Sequence, residues 1–89
     1  MTERPVSWFL IEKGLRAVGR GGEELGEVSE VLGDEERDIF DGLMVRSSLL
    51  GSSHYVPADR VGTITTAHVE LDLDAGELGS LDAEAPEGA

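Results

Sequence analysis

Ala67-His68-Val69-Glu70-Leu71-Asp72-Leu73 is the stretch of sequence that decides the fold. Its apolar residues alternate with polar or charged ones, which is the period of two expected of a half-buried β-strand, whose successive side chains point to opposite faces of a sheet. An amphipathic helix would instead repeat its apolar positions every three or four residues. We therefore predict a strand here and an all-β fold around it.

Other short apolar segments precede this strand, and Gly or polar clusters separate them at the intervals of β-meanders and barrels. Pro57 follows the segment His54–Val56 and marks a break before Val61–Thr65, because the proline nitrogen cannot donate a hydrogen bond to a neighbouring strand. These segments are Leu15–Val18, Leu25–Leu32, Ile39–Arg46, His54–Val56 and Val61–Thr65. Together with the final segment they make six short segments, whose spacing favours an all-β fold.

Two stretches leave the type of secondary structure open. In Glu23–Arg37, the apolar residues also fit one face of a helix, but Gly26, Gly33 and two β-branched valines favour a strand with a bulge that corrects the three-residue spacing. In Pro5–Glu12, the run Trp8–Ile11 fits either a short helix or a strand that covers one end of the barrel. We predict that this run packs against the core.

Composition limits the classes of function. The chain has 89 residues with 19 acidic and 7 basic side chains, a net charge of -12, and no cysteine. Such a chain repels nucleic acid and anionic membranes, and it has no thiolate chemistry. The longest apolar run, Trp8–Ile11, is too short for a signal-peptide core or a membrane span. We expect a cytoplasmic protein that binds neither nucleic acid nor membrane directly.

The C-terminal residues differ from the rest of the chain. Asp74–Ala89 contains five acids, no base and only two large apolar residues, Leu78 and Leu81. We expect too little burial here to offset the entropy of ordering. The predicted organisation is a single domain over residues 1–73 and a disordered acidic tail over residues 74–89.

The candidate groups for chemistry are few. His54 and His68 could act as metal ligands or general bases, but both are predicted to be solvated surface residues without a third ligand at a recognisable spacing. Asp34–Asp38 lacks the glycine and the glutamate of a calcium loop, and Gly19–Gly26 fails the pattern of a phosphate-binding loop. We predict no catalytic, cofactor-binding or metal-binding residue and no enzyme activity.

Three segments in order resemble the landmarks of the PRC-barrel superfamily: Ile11–Val18, Gly22–Val28 and Val56–Val61. The chain looks most similar to a small stand-alone bacterial branch of that superfamily, in which a segment like His54-Tyr55-Val56-Pro57 precedes the final hairpin. The resemblance spans nearly all of residues 11–73, and the chain departs from the pattern at Ala58 and in its acidic balance.

The resemblance implies a small, strongly bent antiparallel β-barrel of about six strands. It also implies a protein-contacting module, as in a photosynthetic reaction-centre subunit and a ribosome maturation factor. It implies no catalytic residues. It also implies structural positions, with Gly22 and Gly26 setting turn geometry and Pro57 a strand break. The core positions that it implies are Val28, Val56 and Val61.

The expected function is that of a non-enzymatic adaptor that contacts a protein partner or assembles with itself as a homo-oligomer, because so small a core often gains stability by association. The alternative is an accessory factor in ribosome or RNA processing that acts through a protein partner. The apolar residues that could form the interface are Trp8, Phe9, Leu10, Ile11, Leu49 and Leu50.

Overall fold

The computed structural model describes residues 8–34, 36–48 and 51–83, and the Phe9 side chain lies outside the description. Most of the described chain is β-strand, as predicted. Two 3₁₀ turns, Trp8–Leu10 and Ala58–Arg60, and one α-helix, α1 (Ala75–Ser80), complete it. The strands are β1 (Arg16–Val18), β2 (Glu24–Asp34), β3 (Ile39–Ser47), β4 (Ser53–Pro57), β5 (Val61–Ile64) and β6 (His68–Leu71).

All six strands form one sheet in the order β4-β3-β2-β1-β6-β5. Most neighbours are antiparallel, but β1 and β6 are parallel, with Ala17 opposite Val69. The prediction of a wholly antiparallel sheet is therefore wrong at this pair. A parallel pair needs a long crossover, and here the crossover is the whole path through β2, β3, β4 and β5.

The two edge strands, β4 and β5, follow each other in the chain with only Ala58–Arg60 between them. Three residues span at most about 10 Å, whereas the edges of a flat six-stranded sheet lie about 24 Å apart. The sheet must therefore curl so that its edges approach each other at this turn. In the described chain β4 and β5 are not paired with each other, so the sheet is curled but open.

Strand β2 carries the bulge that its sequence predicted. The register with β3 shifts between Val28 and Glu30, and Ser29 is the extra residue. Val28 opposite Val45 and Val31 opposite Leu43 thereby point to the same face despite their spacing of three. The bulge therefore accounts for the helix-like spacing of the apolar residues in this stretch.

The core lies on one face of the curled sheet. The completely buried side chains there include Leu43, Val45, Val56 and Val69. Trp8 and Phe40 pack against this core, with their rings stacked at a centroid distance of 5.2 Å. Trp8 of the N-terminal run predicted to pack therefore does so, through a 3₁₀ turn, and Ile11 is buried, whereas Leu10 is 62% exposed.

The predicted boundary at Leu73 needs correction. The chain continues into α1, which begins with a capping box in which Asp74 and Glu77 satisfy each other's backbone N–H groups. Leu78 on this helix is 1% exposed and belongs to the core. Leu78 in the core, the half-buried Leu81 packed against it and the cap order residues 74–83 despite their acidic composition. Residues 84–89 of the predicted tail lie outside the described residues.

The structural glycines have different roles. Gly22 lies in the turn before β2 with a φ of 83°, a conformation that favours glycine. Gly26 lies inside β2, and not in a turn as the resemblance implied. A Cβ atom there would lie 1.9 Å from the carbonyl oxygen of Arg46 on β3, so glycine is required by the close approach of two strands.

Candidate functional site

Strand register divides the sheet into a core face and an outer face. On β3 and β4, Leu43 opposite Val56 and Val45 opposite His54 point to the core. The residues between them, such as Met44 opposite Tyr55, point to the outer face because side chains alternate along a strand. The Trp8 turn and α1 pack on the core side through Trp8 and Leu78.

The outer face of β2, β3 and β4 carries an apolar surface, here called the outer patch. Its members are half-buried or exposed, and none belongs to the core cluster or packs against it. Ile39 is the most exposed of them at 46%. The outer patch consists of Leu32, Ile39, Met44, Tyr55 and Pro57. No described element covers it.

Gly42 lies at the centre of the outer patch, between Leu32 on β2 and Pro57 on β4. A Cβ atom on Gly42 would be 3.0 Å from the ring and the hydroxyl oxygen of Tyr55, so the ring lies across this glycine. The Tyr55 hydroxyl donates to the backbone carbonyl of Asp41 at 2.8 Å. The aromatic ring is therefore held flat against the sheet, with one face available for contact.

Carboxylates border the outer patch. Glu30 lies opposite Met44, and Asp34 lies opposite Ile39. Burial raises the pKa of Tyr55, and the carboxylates of Asp41 and Asp59 raise it further. The carboxylates surround the ring with negative charge, which disfavours the phenolate form of Tyr55.

The other half of the outer face is polar. The row Arg46, Glu27, Arg16 and His68 runs across β3, β2, β1 and β6 in register. An open recess of about 270 Å³ lies beside this row. Its charged lining contains Arg16 and Arg46 together with Glu24 and Glu27, and Arg16 pairs with Glu24 at 3.1 Å. Because the opposite charges balance, the recess selects neither anions nor cations.

The two histidines differ from each other. His68 is half-buried on the outer face, with its Nε2 atom 3.2 Å from a carboxylate oxygen of Glu70. His54 is buried, so the prediction of a solvated His54 is wrong. It shares the core face with Val56, and its Nδ1–H donates to the carbonyl of Leu81 while Nε2 bonds the Ser52 hydroxyl. His54 therefore anchors the residues after α1 to β4.

The predicted interface residues that the structure describes, Trp8, Leu10 and Ile11, differ in their exposure. Ile11 is buried in the core, and Trp8 packs on it while its Nε1–H donates to Asp38 at 2.9 Å. Leu10 is 62% exposed. Leu49 and Leu50 lie outside the described residues. The outer patch was not foreseen, although the uninterrupted apolar run Leu43-Met44-Val45 is the signal of a strand that is apolar on both faces.

An ion-pair network joins the C-terminal helix to the sheet. Arg20 pairs with Asp72 at 2.8 Å and with Glu77 at 2.6 Å, and Arg60 pairs with Glu77 at 2.8 Å. These hydrogen bonds from arginine lower the pKa of both carboxyl groups. The largest effect on Asp72 comes from Arg20, and the largest effect on Glu77 comes from Arg60. The network links the turn before β2, the turn after β4 and α1.

We expect Glu77→Gln to lower the Tm near pH 7 and to have little effect at acid pH. A carboxyl group whose pKa is lower in the folded state stabilises the fold above its unfolded pKa of about 4.3, and this contribution disappears as the pH falls through the folded value. Thermal unfolding of both proteins between pH 7 and pH 2, each at low and high salt, measures the difference.

Glu12→Gln is the matched control for Glu77→Gln, since Glu12 is exposed and forms no described ion pair. It removes the same charge and should leave the Tm unchanged at each pH. A Glu77→Gln effect that persists at pH 2 would show that the loss is one of helix capping and not of ion pairing.

No cluster of three or more His, Cys, Asp or Glu side chains suited to a metal ion occurs among residues 8–34, 36–48 and 51–83. Within the same described parts, no helix is long and apolar enough to cross a membrane. No protein-family model matches the chain. No curated protein matches it either.

Proposed function

We propose that this protein is a non-enzymatic interaction module whose docking surface is the outer patch. The observation that carries the proposal is a sheet that is apolar on its core face and also on part of its outer face. The chain covers the core face with the Trp8 turn and α1 and leaves Leu32, Ile39, Met44, Tyr55 and Pro57 on the other. Exposed apolar surface of this kind, bordered by polar residues, is typical of protein–protein contacts.

The make-up of the outer patch supports this function. Aromatic residues and methionine are enriched at the centres of interfaces, where a ring contributes a large contact area at low entropic cost. Tyr55 is held by its hydrogen bond to Asp41, so little further ordering is needed when a partner docks. The patch lies on three strands that are hydrogen-bonded to one another, β2, β3 and β4. A PRC-barrel-like fold, supported by the curl between β4 and β5, is part of the same proposal.

Site-specific photo-crosslinking in the cells that naturally produce the protein tests the proposal. A photoreactive residue at Ile39 on the outer patch should give discrete adducts. The same residue at Thr63, exposed on β5, is the matched control and should give none. In the protein that carries the photoreactive residue at position 39, the further substitution Met44→Glu should abolish the adducts. A carboxylate at the centre of an apolar contact is desolvated without a partner.

Adduct mass distinguishes the two classes of partner. An adduct of twice the chain mass indicates a second copy, and light scattering of the purified protein at several concentrations should then show a dimer. Any other mass indicates a different protein. Equal adducts at Ile39 and Thr63, or adducts that survive Met44→Glu, would contradict docking on the outer patch.

A further inference from the structure

Carboxylates outnumber cationic side chains around the outer patch. Carboxylates follow its border from β2 to the turn after β4, and those of Asp41 and Asp59 act on the Tyr55 hydroxyl. The border lies close to any surface that docks on the patch. Its charge therefore affects which partner binds. The border carboxylates are Glu30, Asp34, Asp41 and Asp59.

The nearby arginines do not cancel this charge. Arg37 lies 3.7 Å from Asp34 and neutralises at most that carboxylate. Arg60, next to Asp59 in sequence, directs its guanidinium to Glu77 and to the backbone carbonyl of Asp72. Arg46 lies on the polar row, where it is in register with Glu27. The border therefore keeps an excess of negative charge.

A second copy of the chain is a poor occupant for such a surface. A two-fold dimer would place the same patch on both sides of the contact and bring two acidic borders together. Like charges facing each other across an interface oppose association, and the net charge of -12 adds a general repulsion between copies. The complementary occupant has the opposite charge.

We infer that the outer patch binds a basic segment of a partner protein, in which apolar side chains are flanked by Lys or Arg. This inference rests on the proposed function. The apolar side chains contact Met44, Tyr55 and Leu32, and the cationic ends reach the border carboxylates. Long Lys and Arg stems suit this arrangement because they cover apolar surface while their charged ends stay in water.

A methyl NMR titration of the full chain with two synthetic peptides tests the inference. The peptides have the same length and the same Leu, Val and Phe residues, with Lys between them in one and Glu in the other. We expect the Lys peptide to shift the Met44 and Ile39 methyl signals and to bind at least about tenfold more tightly than the Glu peptide. Raising NaCl from about 0.05 M to about 0.5 M should weaken it severalfold.

The double variant Asp41→Asn/Asp59→Asn should weaken binding of the Lys peptide about threefold to tenfold. The control Glu12→Gln/Glu23→Gln removes two charges elsewhere and should leave the affinity unchanged. The methyl spectra of the free variants show whether each remains folded.

Three results would overturn the inference. The first is that both peptides bind equally well at the Met44 and Ile39 methyls. The second is that binding of the Lys peptide does not depend on salt. The third is that the Lys peptide shifts only methyl signals elsewhere in the sheet, or none. Equal binding at the patch would leave the docking surface in place and remove only its preference for basic partners. The crosslinks at Ile39 decide the proposed function independently of these peptides.

Discussion

Gly26→Ala should strongly destabilise this domain. The added Cβ atom would lie 1.9 Å from the carbonyl oxygen of Arg46 and 2.8 Å from its carbonyl carbon, and both atoms belong to the backbone of β3. Relief requires separating β2 from β3, two inner strands of the sheet. We expect a loss of at least about 3 kcal/mol, from a domain whose total stability is about 5 to 10 kcal/mol.

Thermal and urea unfolding followed by circular dichroism measure the effect of Gly26→Ala. The Tm should fall by about 15 °C or more. Gly76→Ala in α1 is the matched control, since the nearest atom to its added Cβ is Asp74 Oδ1 at 3.4 Å. It should keep or slightly raise the Tm because alanine is the better helix former. A Gly26→Ala protein that melts within about 2 °C of the wild type would refute the packing argument.

Leu78→Ala should destabilise the whole domain and not just the C-terminal helix. Leu78 is 1% exposed in the shared core, so its truncation removes buried area and leaves a cavity. Such substitutions cost about 2 to 4 kcal/mol. We expect a single cooperative unfolding transition at a lower urea midpoint, with the same dependence on denaturant as the wild type.

Leu10→Ala provides the comparison for Leu78→Ala, as Leu10 is 62% exposed. It should change stability by less than about 0.5 kcal/mol. If the two variants unfolded at the same midpoint as the wild type, the helix would be an appendage of the sheet and not part of its core.

The sequence was most informative where side-chain alternation was undisturbed. Ala67–Leu73 predicted β6, and Gly26, Gly33 and the two valines of Glu23–Arg37 predicted a bulged β2, because both patterns report local backbone geometry. The parallel pairing of β1 with β6 could not be predicted in this way. It depends on which distant segments meet, and no local pattern encodes that choice.

The errors at His54 and at the C-terminal helix have physical causes. His54 shares a strand face with Val56, but its serine neighbours suggested exposure, and its two hydrogen-bond partners lie on another segment and on the adjoining loop. Residues 74–83 are acidic on average, yet two packed leucines, a capping box and the ion pairs of Glu77 order them. The outer patch was missed because its apolar residues, among them Met44 and Leu32, lie in strands expected to supply the core.

The parallel pair of β1 with β6 has a consequence for synthesis on the ribosome. Strand β1 is made before β2 to β5, whereas β6, one of its two neighbours in the sheet, is made after them. Strands β1 to β4 can form antiparallel hairpins as they emerge, whereas closing the long loop between β1 and β6 has an entropic cost that is met only once β6 has been made. Until then the nascent sheet has an exposed edge at β1, and a chaperone that shields this edge would raise the yield of folded protein.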